Sequence, residues 1–340
     1  MRFFITGGAG FIGANSADNF LTKGHEVVVY DNLSRVGGPA NLAWLRQRHG
    51  GLHFVRGDVR DYDSLAEAIR GADVVVHLAS QVAVTSSVLD PRTDFEINAL
   101  GTFNVLEAVR HVCPEAAVLY ASTNKVYGGM EEVAITAEDD RYAYADFANG
   151  IPESYPLDFH SPYGCSKGAG DQYTLDYARI YGLRTLVFRQ SCIYGPRQFG
   201  VEDQGWVAHF VIAAAFNRPI TIYGDGRQVR DLLHVNDLIR AYEVGLERID
   251  EQRGEAFNVG GGPANTISIW TEFGPLLESL AGKPVPVTYS DWRPGDQRVF
   301  VADIGKAAER LGWEPSISPE EGIRQLYSWV ESHPDLFMNA

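Results

Sequence analysis

Tyr163-Gly164-Cys165-Ser166-Lys167 sets a phenol and an amine four residues apart, on one face of any helix that carries them. Free tyrosine titrates near 10, too high for a base at neutral pH. A neighbouring ammonium stabilises its phenolate, and a cationic nicotinamide ring adds to that. Tyr163 then takes a proton from a hydroxyl while hydride leaves the same carbon. The spacing alone is common on helix surfaces, so its weight comes from its companions. One is Ala121-Ser122-Thr123-Asn124-Lys125-Val126-Tyr127-Gly128, where Thr123 offers a hydroxyl at a strand end to share the reacting proton.

The other companion is Gly7-Gly8-Ala9-Gly10-Phe11-Ile12-Gly13, between a strand pattern and a helix pattern. Gly7, Gly10 and Gly13 let backbone approach a pyrophosphate, whose charge rests on the helix N-terminus with Phe11 and Ile12 in its first turn. Asp31, with Asn32 beside it, ends the second strand, where a carboxylate binds ribose hydroxyls and repels a 2′-phosphate. The cofactor this favours is NAD over NADP, although Arg35 lies nearby. Asp58-Val59 follows the third strand and is placed for adenine or for helix capping; Leu78-Ala79 ends the fourth, at the crevice.

Positioning these groups requires a parallel sheet. Apolar runs at Arg2–Thr6, Glu26–Tyr30, Leu52–Arg56, Asp73–Leu78, Ala117–Ser122 and Leu183–Arg189 are separated by helical patterns, which include Phe11–Lys23, Ser64–Arg70 and about Arg92 to Val112. The fold class is α/β, a Rossmann-like doubly wound parallel sheet with a smaller mixed α/β C-terminal substrate domain. Residues 1–189 form the dinucleotide domain, 231–262 return to it, and 190–230 with 263–340 form the second. Ser161-Pro162 opens the Tyr163 helix as cap and first residue, and Gly182 closes it. Residues 128–161 lack a period and form either a lid or a surface excursion.

Composition excludes several partners. Twenty-nine Lys+Arg against 44 Asp+Glu leave a net charge of −15, which argues against nucleic acid and anionic membrane. No apolar run suits a membrane span or a signal peptide. Three cysteines without paired spacing indicate neither disulfide framework nor metal site, and fit the cytoplasm.

The glycine motif, the Ser/Thr strand end and Tyr163/Lys167 together resemble the extended short-chain dehydrogenase/reductase family of nucleotide-sugar enzymes, over essentially the whole chain. The resemblance implies a nucleotide-diphosphate sugar, with Arg230 (in Tyr223–Val235) and Arg293 (in Arg293-Pro294-Gly295-Asp296) on its pyrophosphate. Where sugar 4,6-dehydratases carry Asp-Glu after the threonine, this chain has Asn124-Lys125, which disfavours dehydration. Ser122–Gly128, Leu157–Gly168, Arg197-Gln198-Phe199, Asp203–Val207 and Asp296–Asp303 are similar to the CDP-paratose 2-epimerase (CDP-tyvelose epimerase) subfamily. That implies inversion at C2 of a CDP-linked hexose through a 2-keto sugar. Thr123, Asn124, Gln190, Ser191 and Tyr194 then line the sugar pocket, Gly205-Trp206-Val207 offers backbone donors to the diphosphate, and Ile222 and Tyr223 border the base. Cys192 reads as packing, and Lys125 and His160 as either substrate contacts or solvated side chains. The family often assembles as homodimers or higher homo-oligomers through the Tyr-bearing helix and a neighbour. A C4 epimerase or other oxidoreductase of this fold, and a non-catalytic dinucleotide sensor, are the alternatives.

Overall fold

The computed structural model describes residues 1–293 and 297–338. Pro294, Gly295 and Asp296, part of two segments on which the resemblance rests, lie outside the described residues.

The main sheet has seven parallel strands: β1 (Arg2–Thr6), β2 (Glu26–Asp31), β3 (His53–Arg56), β4 (Val74–His77), β5 (Ala117–Thr123), β6 (Arg184–Gln190) and β7 (Glu255–Val259). Their spatial order is β7-β6-β5-β4-β1-β2-β3, so the chain reverses direction between β1 and β4. Ligands bind at such a reversal, outside the carboxyl ends of the strands. The central strands are apolar on both sides because both faces are covered. Ile5 sits between Val29 and Val76, and Val27 to Val29 are all at most 1% exposed. Each contributes roughly 1.5–3 kcal/mol of burial.

Helix α1 (Phe11–Thr22) follows β1, and no side chain caps its N-terminus at Gly10. Its first N–H groups therefore point at the crevice unsatisfied by a side chain. The continuous helix expected from Arg92 to Val112 is broken. It runs as Pro91–Phe95, a π turn over Glu96–Leu100, then α2 (Gly101–Val112). α3 (Ser161–Tyr181) carries the Tyr/Lys pair. Ser161 has φ +62 and its Oγ accepts from Gly164 N at 3.2 Å, so its hydroxyl holds the first turn. Gly182 ends the helix in the left-handed conformation.

A second core gathers α4 (Trp206–Ala215), α5 (Pro319–Ser332) and strands Ile220–Tyr223 and Val229–His234. Asp231 to His234 belong to that strand, which pairs with Cys192–Tyr194, Thr266–Ser268 and Val299–Phe300. The chain rejoins the main sheet only with the helix Val235–Glu247, whose Leu238, Ala241 and Tyr242 enter the first core, and with β7. Residues 128–161 form neither a free excursion nor a detached flap. They contain a hairpin, Ile135–Ala137 with Tyr142–Tyr144. Tyr142 N donates to Arg227 O at 3.1 Å, Ile151 bridges Ala302, and Tyr142 Oη donates to Asp225 at 2.6 Å. Burial of Tyr142 with Val229 and Val299, and of Ile151 with Phe300 and Ala302, fastens the segment to the strands Val229–His234 and Val299–Phe300 in two small clusters of its own.

Candidate active site

One cavity of about 500 Å³ collects nearly every residue expected at the cofactor. Gly7, Gly10, Phe11, Ile12, Gly13, Asp31, Asn32, Asp58, Val59, Leu78 and Ala79 line it, together with Tyr163, Lys167 and Gln190. Gly7 has φ +67, and a Cβ there would fall 2.8 Å from Ala79 N. Only glycine lets the turn after β1 lie against the end of β4. Asp31 accepts from Ala9 N at 3.0 Å and Leu33 N at 2.7 Å. Burial lifts its carboxyl above the ordinary range, and those backbone donors oppose the rise. Asp58 is held down at about 2, chiefly by its hydrogen bond with Arg60, and also accepts from Asn32 Nδ2 at 2.9 Å. An uncapped helix end, a glycine-lined wall and a carboxylate facing the same cleft fit a dinucleotide: diphosphate at α1, ribose at Asp31.

The reacting groups meet at the other end of this cleft. The Tyr163 phenol, 8% exposed, lies beside Thr123 at the end of β5, whose hydroxyl donates to Asn124 Oδ1 at 3.3 Å. Lys167 lies one turn on, 4% exposed. Its Nζ donates to Ala121 O at 2.6 Å and stands 4.4 Å over the Tyr120 ring. The ammonium is thus anchored to β5 rather than to the phenol oxygen. Burial pushes the Tyr163 phenol up to about 12, with the Thr123 hydroxyl opposing, and pulls Lys167 down to about 7, with Asp171 and Asp94 opposing. Thr123 Oγ1 also accepts from Lys125 N at 3.2 Å. Asn124 is in reach of Thr123, and Lys125 Nζ donates to Gln297 Oε1 at 3.3 Å. His160 pairs with Asp158 at 2.9 Å and is exposed, 58% at its side chain.

The nucleotide side is less uniform. Gln190 donates to Tyr242 Oη at 2.6 Å, and Ser191 donates its hydroxyl proton to the Asp231 carboxylate. Arg230 is 7% exposed and its charge reaches the half-buried Cys192 thiol, which desolvation pushes up and the Arg230 charge opposes. Tyr194, 1% exposed, packs in the second core and edge-on to His234, away from a sugar pocket. One expectation needs correction. The Ile222 side chain, at 0% exposure, belongs to the second core and does not border a base; the Val207 side chain, at 2%, is also in that core, which leaves its backbone as the donor expected of it. Gly205, at φ +73, and Trp206 do open α4. Arg293 is engaged with Asp203 at 3.2 Å and Glu202 at 3.7 Å, and lies 4.0 Å over the Tyr223 ring. An incoming diphosphate must displace those carboxylates to use it.

The same cavity is lined by Ser80, beside Leu78-Ala79, by Arg197-Gln198-Phe199, which carried part of the resemblance without an assigned role, and by Asn41 and Gln81, which no motif singled out. Arg197 is 8% exposed with its guanidinium 4.2 Å from the Trp44 ring centre and 5.5 Å from that of Trp329, so it joins the two cores. Its φ of +73 was the structural signal, invisible in sequence.

The chain matches the GDP-mannose 4,6 dehydratase family over residues 4–326. It is 47% identical to CDP-paratose 2-epimerase of Salmonella typhi over 98% of this chain and 100% of that protein. Among solved structures it resembles the Thermus thermophilus UDP-glucose 4-epimerase complex with NAD (TM-score 0.80, 32% identity, 97% of this chain and 98% of that one). It also resembles a Streptomyces venezuelae dTDP-glucose 4,6-dehydratase with NAD and TYD bound (TM-score 0.85, 29% identity, 100% and 99%). With Tyr163 and Lys167 lining a dinucleotide cleft and Thr123 at the adjoining end of β5, the chain belongs to the GDP-mannose 4,6 dehydratase family of extended short-chain dehydrogenase/reductases, the fold of nucleotide-sugar epimerases and dehydratases.

Proposed function

We propose that this protein is an NAD-dependent nucleotide-sugar 2-epimerase of the CDP-paratose/CDP-tyvelose type, working in the cytoplasm. The observation that carries the reading is the polar set at the end of β5. The Tyr163 phenol is buried beside Thr123, whose hydroxyl favours its phenolate, and Asn124 and Lys125 follow Thr123 where elimination would call for a carboxylate pair. The 47% identity to a CDP-paratose 2-epimerase supports the choice of carbon and base.

NAD, held by the α1 N-terminus and Asp31, supplies a reversible hydride acceptor for the sugar carbon that faces it. Tyr163 Oη takes the C2 hydroxyl proton in the first half of the cycle and returns it in the second. Thr123, beside the phenol, would hydrogen-bond the same oxygen and orient it. Burial holds the phenol up at about 12. The Lys167 ammonium favours the phenolate, and the positive charge of a bound oxidised nicotinamide would add to that. Ser191, whose proton is committed to Asp231, serves substrate only as an acceptor and therefore suits a sugar hydroxyl rather than a phosphate oxygen. The family resemblance supports Arg230 as the cation for the diphosphate.

A C4 epimerase is the second reading, favoured by the likeness to the Thermus UDP-glucose 4-epimerase. Incubation with CDP-paratose, CDP-tyvelose and UDP-glucose, followed by NMR, decides between them. Inversion at C2 of the CDP-sugars is expected; inversion at C4 alone, or a 4-keto-6-deoxy product, contradicts it. The assembly is a homodimer through α2 and α3, whose shared face exposes Phe103, Tyr173, Ile180 and Tyr181.

A further inference from the structure

Asp94 is a carboxylate at 0% exposure, in the short helix Pro91–Phe95, and the reaction described above does not use it. Its Oδ2 accepts from Ser166 Oγ at 2.5 Å, and Ser166 lies between Tyr163 and Lys167 on α3. Its Oδ1 accepts from Gln81 Nε2 at 3.2 Å and Asn98 Nδ2 at 3.1 Å. Gln81 lines the cofactor cleft, and Asn98 Oδ1 accepts from Gln81 N at 2.9 Å. Asn98 belongs to the π turn that breaks the helix after Asp94, a distortion that sets its side chain against Ser166 at 3.1 Å. Asp94 therefore ties the catalytic turn to the wall of the cleft.

Hydrogen bonds to neutral donors do not require a charge, and burying one costs several kcal/mol. The other buried acid near the lysine, Asp171, is already spent on Arg189 at 3.0 Å. The groups around Lys167 are Asp94, Asp171, the Tyr120 ring, Tyr163 and His77, which burial pushes down to about 3 and keeps neutral. We propose that Asp94 is a positioning residue for the redox site: through Ser166 it fixes the turn bearing Tyr163 and Lys167, and its charge holds Lys167 as an ammonium. This rests on the oxidoreductive reading of the site, but not on which sugar carbon reacts.

The test titrates the NAD-loaded protein without sugar, following the absorbance of a phenolate in charge-transfer contact with nicotinamide, alongside the pH profile of kcat. Removing an anion lowers the proton affinity of the coupled pair. Asp94→Asn is expected to move the absorbance midpoint and the alkaline limb of kcat to lower pH by roughly 1 unit. With Lys167 near 7, that is roughly a fivefold loss of kcat at neutral pH. Asp94→Glu should restore the wild-type midpoint. Ser166→Ala keeps the charge and should leave the midpoint in place while cutting kcat about tenfold at unchanged KM. An unshifted midpoint in Asp94→Asn, or wild-type kcat in Ser166→Ala, overturns the proposal. Should Asp94→Asn not fold, the Ser166→Ala result decides alone. A wild-type protein that shows the absorbance band yet inverts no nucleotide sugar fails the functional reading and leaves Asp94's role standing.

Discussion

Burial moves the two central side chains in opposite senses. It raises the Tyr163 phenol to about 12 and lowers the Lys167 amine to about 7, because each loses its charged form to desolvation. Tyr163→Phe keeps the ring and removes the proton carrier, so turnover should fall by about 10²–10⁴-fold with NAD affinity unchanged. Lys167 supplies a pH prediction with two signs. Its folded pKa of about 7 lies below the unfolded value of 10.5. Between those values the unfolded chain binds more protons, so this group makes stability rise with pH while it loses the ammonium that serves catalysis. Activity of the free enzyme should therefore decline above about pH 7 with no matching fall in Tm, which kcat/KM profiles and melting curves on one pH series would show. At this scale the sequence was informative where spacing defines a face or a turn, as with Tyr163/Lys167 and the glycines at 7, 10 and 13. It was misleading at Ile222, because the direction of an apolar side chain depends on a second core assembled from distant segments.

The elements between those residues explain the cleft. The turn after β1 must pass within van der Waals contact of the end of β4, with Gly7 at φ +67. Gly7→Ala places a methyl 2.8 Å from Ala79 N and strains the backbone. It should cost about 1–3 kcal/mol in denaturant unfolding and weaken NAD retention on gel filtration. Strand and helix positions on the first half of the chain were legible because parallel strands read as unbroken apolar runs. The π turn at Glu96–Leu100 was not, since nothing in a regular apolar repeat announces an inserted residue. Residues 128–161 escaped for another reason. Their order comes from Tyr142, Ile151 and Tyr144 meeting Asp225, Ala302 and Val299, contacts of long sequence separation that leave no local period.

At the scale of the molecule, one cleft runs between two cores that Arg197 stitches together across Trp44 and Trp329. An acidic chain of net charge −15 nevertheless presents Arg35 and Arg197 on this cleft, which suits an anionic dinucleotide. Opposite lies the aromatic face of α2 and α3, where Phe103 and Tyr173 meet edge to face at 6.0 Å while 37% and 49% exposed. The proposed homodimer would bury this patch. The double variant Phe103→Glu/Tyr173→Glu should sediment as a monomer where the wild type sediments as a dimer; equal sedimentation would remove that assignment. Oxidation and re-reduction of a sugar carbon at one bound nicotinamide returns the hydrogen it gave up, without exchange with water. CDP-paratose carrying deuterium at C2 reports on that transfer. The epimer formed in ordinary water is expected to keep the deuterium at C2, and loss of the label to solvent would overturn the hydride shuttle.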